Sequence, residues 1–586
     1  MPIPLQQYRS LLANYLQPQR GRVIGLAIAL LSSIALQIIN PQILGYFIDT
    51  AVAGGAQHTL LLSALTFTAI ALLTQVFAVA ATYLGETVAW TATNALRIDL
   101  AAHCLQLDLS FHKAHTPGEL LERVDGDVNA LSRFFSQLVI HVLGNSLLLV
   151  GILVVLWFEN QFAGLCLTVF AVVALALLLG LRSLAISPWA KYRQISAEFY
   201  GTLGEHIVGR EDIRANGAVG YVMHRFFALL QQWLPVYQQA RFASTVLWFS
   251  SVGLFTIGNA IALALSAYLW NQKTITIGAA YLIFHYTNLL SQPIERIREE
   301  LEQLQQVEAS IQRIRDLLAV QSTVDDRGDC SLPTGALSVC FNQVRFSYES
   351  NASSPAVLPL STLQDISFHL PAGRVLGLLG RTGSGKSTIA RLLLRLYDVQ
   401  SGEIQLGNCT IAQTRLAELR QRVGLVTQDV QLFQASVRDN LTFFNPHISD
   451  PVILATLEDL GLGQWLKSLP DGLHTQLGAD SSGLSAGQAQ LLALVRVFLK
   501  NPGLVILDEA SSRLDPQTEA LLDRAIDKLL THRTGIIIAH RLQSVQRADQ
   551  ILILEQGKVV EYGDRLNLMH QPDSRFAQML HKAAEI

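Results

Sequence analysis

Gly380-Arg381-Thr382-Gly383-Ser384-Gly385-Lys386-Ser387 decides the reading of this chain. It satisfies GxxxxGK[ST], follows the apolar run Val375–Leu379 and opens the helical run TIARLLLRL, which is the context a phosphate-binding loop requires. The glycines let backbone N–H groups close around a β-phosphate, and the helix N-terminus that follows adds a favourable field for an anion. Lys386 is placed to bridge β- and γ-phosphates and Ser387 to ligate Mg²⁺, with Thr388 beside them in the first helical turn. Downstream, Leu504-Val505-Ile506-Leu507-Asp508-Glu509 is an apolar strand ending in two carboxylates. Asp508 suits the outer sphere of Mg²⁺, and Glu509 suits a base that orients or deprotonates an attacking water. A hydrophobic run ending in Asp-Glu is weak by itself; following a phosphate loop it gains weight.

Around these motifs, short β-rich runs alternate with helical ones from 337 to 586, which predicts an α/β nucleotidase domain. The preceding stretch 321–336 mixes Asp, Gly, Ser and Pro and reads as a linker. Residues 294–320 are charged and amphipathic, with Leu301, Leu304, Ile311, Ile314 and Leu318 on the apolar face. Upstream the character changes. Asp, Glu, Lys and Arg are missing from 23–48, 57–85, 134–158, 160–181, 242–272 and 274–294, each as long as the ~20 residues a helix needs to cross hydrocarbon. Backbone polar groups must pair internally there, so six transmembrane helices are expected within 1–320. Arg and Lys cluster before the first span and in the long loops 86–133 and 182–241, while the alternate connections carry only Lys273. The positive-inside rule then places both termini and both long loops in the cytoplasm.

Bulk composition agrees with a membrane part joined to a water-soluble part. The 586 residues are 50% hydrophobic and 15% charged, and the net charge of -3 gives no sign of a nucleic-acid binder. The five cysteines (Cys104, Cys166, Cys330, Cys340, Cys409) are scattered and never at CxxC spacing, so free thiols are expected rather than zinc ligands or a disulfide framework. The N-terminus is polar for too long to be a secretory signal. Its Leu5, Tyr8, Leu11, Leu12, Tyr15 and Leu16 suggest a surface-lying amphipathic helix.

Leu484-Ser485-Ala486-Gly487-Gln488 resembles the LSGGQ signature of ATP-binding-cassette transporters, an element that other phosphate-loop ATPases lack. Together with the motifs above, the chain resembles an export-type half-transporter over almost its whole length. The resemblance implies further roles. Tyr348 would stack on adenine, and Gln428 would touch Mg²⁺ and the membrane domain. Ser512-Arg513-Leu514-Asp515 would form the D-loop, and His540 would contact the γ-phosphate. Ser485, Gly487, Gln488 and Asp515 would join the nucleotide site of a partner half. It also gives the loops 96–131 and 201–220 a transmitting role, the first through a coupling helix near Gly118–Val128.

This chain departs from the family pattern at five places. Ala486 replaces the usual glycine of the signature, Ala489 and Leu491 stand at usually basic positions, Ala479 at an acidic one, and Arg513 where a small residue is typical. What the chain offers a partner therefore looks altered, and homodimer and heterodimer both stay open. The resemblance implies ATP and Mg²⁺ as ligands, a second half-transporter as partner, and residence in a bacterial inner membrane. Export of a lipid, drug-like or other amphipathic molecule is expected, because the charge-free spans, with His141, Asn145, Asn259, His285, Asn288 and Gln292 as polar groups, suggest no proton or metal relay. An ATP-gated channel is disfavoured by Glu509, and an importer on the same scaffold remains open.

Overall fold

A computed structural model describes residues 15–181, 183–348, 362–428, 430–478, 484–508, 516–539 and 542–584. Glu509, Asp515 and His540 lie outside them, as do Ala479, Arg513 and the start of the N-terminal helix. The chain forms two compact units: Met1–Leu105 with Gly118–Ala319, and Gln106–Pro117 with Val320–Ile586.

Among the described residues the first unit is built of helices. Its long members are α1 (Arg20–Val52) and α2 (Gln57–Gln106); the next short helix, α3 (Leu109–Ala114), belongs to the second unit. There follow α4 (Gly144–Glu159), α5 (Gln161–Leu181), α6 (Ser183–Val208), α7 (Val219–Asn271), α8 (Ile277–Leu289) and α9 (Ser291–Ala319). Among the described residues five helical stretches, Gln17–Val52, Gln57–Gln106, Ile140–Glu159, Gln161–Val208 and Val219–Asn271, are long and apolar enough to cross a membrane. The sixth expected span differs. It breaks at Leu290, so that α8 is only 13 residues long. Pro293, which has no N–H to donate, falls in the first turn of α9, where a proline is tolerated and the helical ladder is interrupted.

At 50 residues α2 measures about 75 Å, more than twice the ~30 Å hydrocarbon thickness, so these helices run far past the membrane. Ile152, Leu156, Ala163, Leu167, Ala174, Leu178, Ile283 and Tyr286 form a fully enclosed core between α4, α5 and α8. Ile24, Leu61, Val79, Phe158, Val172 and Trp248 remain exposed, as lipid-facing residues should. Asp49 ties α1 to α8: its Oδ1 accepts from Gly278 N at 2.7 Å and its Oδ2 from the Thr276 hydroxyl at 2.7 Å. Gly278 permits this approach, because a Cβ there would lie 2.3 Å from the Gly45 carbonyl oxygen.

Two loop segments of this unit bear on the expected coupling elements. Residues around Gly118–Val128 form a helix Pro117–Leu121 running into a wide π turn, Glu122–Asp127. The buried Asp127 carboxylate is gripped by Arg313 of α9 through Nε at 2.9 Å and through Nη2. The short helix that belongs to the second unit is α3, and its signal was an Asp108 N-cap ahead of LSFHKA with Pro117 beyond. In the second loop Arg210–Ala215 is a short helix with no buried residue, set off by turns on both sides.

The second unit carries two sheets. A four-stranded one orders β2 (Leu363–Leu370), β1 (Val339–Phe346), β4 (Ser401–Leu406) and β5 (Cys409–Thr410). A six-stranded one orders β10 (Lys558–Asp564), β9 (Gln550–Glu555), β3 (Val375–Gly380), β8 (Thr534–Ile538), β7 (Leu504–Asp508) and β6 (Val423–Val426). From β9 to β6 all neighbours are parallel, and only β10 is antiparallel. The central strands β7 and β8 are buried throughout their apolar lengths, as expected of a parallel sheet covered on both faces. The linker is stitched to this unit by Leu416 N on Asp326, Leu332 N on Glu418 and Arg422 on the Pro333 and Gly335 carbonyls. It is also cross-linked. Cys330 and Cys409 form a disulfide, which corrects the expectation of five free thiols; Cys104, Cys166 and Cys340 take no part in a disulfide. Elements far apart in sequence brought the pair together, which spacing could not show.

Candidate functional site: a phosphate-loop nucleotide site

The parallel sheet delivers the predicted motifs to one edge. The phosphate loop follows β3, Gln428 lies just past β6, and Asp508 ends β7. All are at carboxyl ends of parallel strands, where ligands of α/β sheets bind.

The loop itself is shaped by glycine. Gly380, Gly383 and Gly385 have φ of 150°, 83° and 105°. A Cβ at Gly385 would also lie 2.5 Å from Leu363 Cδ2, so this position demands glycine on both counts. α10 (Lys386–Leu393) starts there. Lys386 is buried at 5% exposure, and its ammonium donates to the Gly380 carbonyl at 2.7 Å and the Arg381 carbonyl at 3.2 Å, folded across its own loop. The Ser384 hydroxyl is buried and has no partner among the described residues. A cradle with a sequestered ammonium and an orphaned hydroxyl is chemically suited to a polyphosphate. Arg381, Thr382, Gly383 and Ser384 also line one wall of an open cleft of about 1020 Å³ that faces the β9–β10 turn.

Ser387 donates to Asp508 Oδ2 at 3.4 Å, which joins the loop to the end of β7 with hard oxygen donors only. That donor set fits Mg²⁺. Gln428 is exposed at the end of β6.

Tyr348 stands at the end of β1. Its hydroxyl meets Thr388 Oγ1 at 3.1 Å and accepts from Arg391 at 2.9 Å, which fastens the ring to α10. The Lys113 ammonium of α3 lies 3.8 Å from the centre of the same ring. Leu109 packs against the core beneath. Asp108, the N-cap of α3, accepts from the Thr323 amide at 2.7 Å and the Thr323 hydroxyl at 2.6 Å. Burial alone would raise the Asp108 pKa, but the hydrogen bonds from Ser110, Thr323 and Phe111 outweigh it and pull it down to about 2. Sequence reasoning missed both Asp108 and Lys113.

The signature begins α11 (Ala486–Lys500) and closes a capping box: Ser485 Oγ accepts from Gln488 N at 3.2 Å while Gln488 Oε1 accepts from Ser485 N at 3.0 Å. Ala489 and Leu491, the positions expected to be basic, are buried at 4% and 3% exposure inside the hydrophobic core. These departures are therefore packing residues in this chain. Arg496, further along α11, was not anticipated. It donates to the Asn440 and Gln431 carbonyls at 2.7 and 3.0 Å, holding the segment that follows Gln428 against the helix, and burial lowers its pKa to about 10.

Comparison with known proteins agrees with this geometry. The family model described as ABC transporter matches residues 363–512, and the one described as ABC transporter transmembrane region matches 23–294. The uncharacterized ABC transporter ATP-binding protein YknV of Bacillus subtilis is 29% identical over 567 residues, covering 95% of this chain and 92% of that protein. An ATP-dependent lipid A-core flippase of Photorhabdus laumondii is 28% identical, covering 94% of both. Among solved structures, a bacterial Atm1-family ABC exporter with ATP bound superposes with a TM-score of 0.81 at 25% identity, over 96% of this chain and 98% of that one. The chain belongs to the ABC transporters. It is a multi-pass membrane protein that uses ATP, an ATPase coupled to movement of a substrate across a membrane.

Proposed function

We propose that the chain is one half of a dimeric exporter that moves an amphipathic molecule, of the lipid or drug-like class, out across a bacterial inner membrane with both termini cytoplasmic. The observation that carries the reading is the convergence of the phosphate loop, Asp508 and Gln428 at one sheet edge in a chain whose other unit is built of membrane-length helices. Lys386 and the loop amides would hold the β- and γ-phosphates of ATP, with Ser384 supplying its unused hydroxyl. Tyr348 would present its ring to adenine. Ser387, Asp508 and Gln428 would hold Mg²⁺, which when bound neutralises phosphate charge. Glu509 would take the proton of the attacking water, and His540 would contact the γ-phosphate.

The helix start Ser485-Ala486-Gly487-Gln488, with Ser485 exposed, would together with Asp515 complete the ATP site of the second half. ATP then binds the closed pair of nucleotidases more tightly than the open pair, and that difference drives the change of access. A lipid-like cargo is supported by the relative named as a lipid A-core flippase and by the absence of Asp, Glu, Lys and Arg from the six charge-free segments.

A homodimer is the simpler assembly, and the buried Ala489 and Leu491 favour it, since they alter packing rather than the exposed Ser485. The test is steady-state ATP turnover of the chain alone in lipid nanodiscs, beside Glu509→Gln. Turnover that the substitution abolishes is expected. Turnover that persists in Glu509→Gln would refute the assigned base, and an inactive wild-type chain would refute the homodimer.

A further inference from the structure

We propose that the start of the first membrane helix holds a resident anionic phospholipid, one acyl chain buried in the protein and its phosphate on Arg20. A cavity of about 280 Å³ opens between α1, α2 and the turn leading into α4. Its walls are aliphatic throughout: Leu26, Ala27 and Leu30 of α1, Gly85 and Val88 of α2, and Leu147 are among them. Such a space binds nothing polar, and an empty apolar cavity beside a bilayer is open to the nearest hydrocarbon.

The cavity is held open by the chain that precedes the span. The Tyr15 hydroxyl donates to Asp99 of α2 at 2.7 Å, and the buried Gln19 amide donates to the Val88 carbonyl at 3.3 Å. These two ties fix Leu16 over the end of the cavity and leave Gly85, with no side chain, as part of its wall. From Val23 to Leu31 the wall runs about 12 Å along the helix, and about 280 Å³ over that length has room for a stretch of one extended chain but not for a helix, which at ~10 Å diameter would need roughly 900 Å³. That argues against a helix of a second copy as occupant. Leu31, Leu143 and Leu147 are 54%, 52% and 47% exposed, so the cavity opens sideways, toward lipid.

Charge selects the headgroup. A second, shallower pocket shares Leu16 and Val23 with the first and is lined by Gln17, Arg20 and Ile24. Arg20 is exposed and makes no hydrogen bond or ion pair among the described residues; Arg22 is exposed two positions on. A cation at the water-facing end of a hydrocarbon slot fits a phosphate ester whose chain lies in the slot. Of the proposed function the site uses only the orientation, which puts it in the cytoplasmic leaflet.

The test uses the full chain in phosphatidylcholine nanodiscs doped with phosphatidylglycerol carrying a diazirine in one acyl chain. Irradiation should place adducts on peptides spanning 23–31 and 143–147, about fivefold more than the same diazirine in phosphatidylcholine. Ala27→Trp, which fills the cavity, should remove these adducts while labelling elsewhere persists; Leu147→Trp does the same from the opposite wall should the first variant fail to assemble. Arg20→Gln should keep the adducts and lose the fivefold preference. Adducts at these peptides that survive both Trp variants would overturn the proposal, as would a headgroup preference unchanged in Arg20→Gln. Loss of the adducts when Glu509→Gln is trapped with ATP would mark the lipid as cargo and overturn residence, and it would leave the ATPase reading standing.

Discussion

Asp108 offers the sharpest test of how α3 is fastened to the nucleotidase unit. Its carboxylate accepts from Phe111 N at 3.1 Å and Ser110 Oγ at 2.5 Å within α3, and from the Thr323 amide and hydroxyl at 2.7 and 2.6 Å at the start of the linker. A drop in pKa from 3.8 to about 2 corresponds to at most ~2.4 kcal/mol at ~1.36 kcal/mol per decade; for a partly exposed carboxylate, screening by water reduces this to about 1 kcal/mol. Asp108→Asn keeps a capping oxygen and loses the charge, so local opening should rise about fivefold. Asp108→Ala also loses the N-cap, worth ~1 kcal/mol more, so opening should rise roughly thirtyfold.

Hydrogen exchange of the Thr323 and Phe111 amides, in the full chain in nanodiscs, reads both values. The pH dependence has a definite sign. The folded pKa is depressed, so the stabilisation is fully present above 3.8 and is lost only as pH falls toward about 2. The ratio of wild-type to variant exchange should therefore be flat between about pH 6 and 8. Protection within twofold of wild type in Asp108→Ala would refute the reasoning, as would equal effects of the two substitutions.

Two further outcomes follow from the packing. Arg313→Ala strands the buried Asp127 carboxylate and should cost ~3–5 kcal/mol, whereas Asp127→Asn leaves a half-exposed arginine that water can solvate and should cost much less; thermal unfolding of the two variants separates them, and equal losses would disprove the asymmetry. The Cys330–Cys409 bridge closes a 79-residue separation, for which loop-closure entropy gives ~4.5 kcal/mol. A reductant should lower the unfolding temperature of the wild-type nucleotidase unit and leave Cys409→Ser unmoved; a wild-type transition indifferent to reductant would count against the pairing.

The sequence by itself determined the chemistry and the order of the parts. GRTGSGKS between an apolar strand and a helix has few physical meanings, since its glycines occupy backbone angles that side chains resist and its lysine needs a counter-anion. Charge-free segments likewise reported the membrane helices, because the cost of burying a charge in hydrocarbon acts on each segment separately. Only tertiary structure decided the rest. Lys113 and Tyr348 are 235 positions apart and Asp108 and Thr323 are 215 apart, so no periodicity links them; the fold does. The same holds for Cys330 with Cys409, and for Ala489 and Leu491, which looked like losses of function in one dimension and are core residues in three. The sixth span broke at Leu290 because freedom from charge marks a segment as tolerable to lipid, while the continuity of a helix depends on each N–H, and Pro293 has none to give.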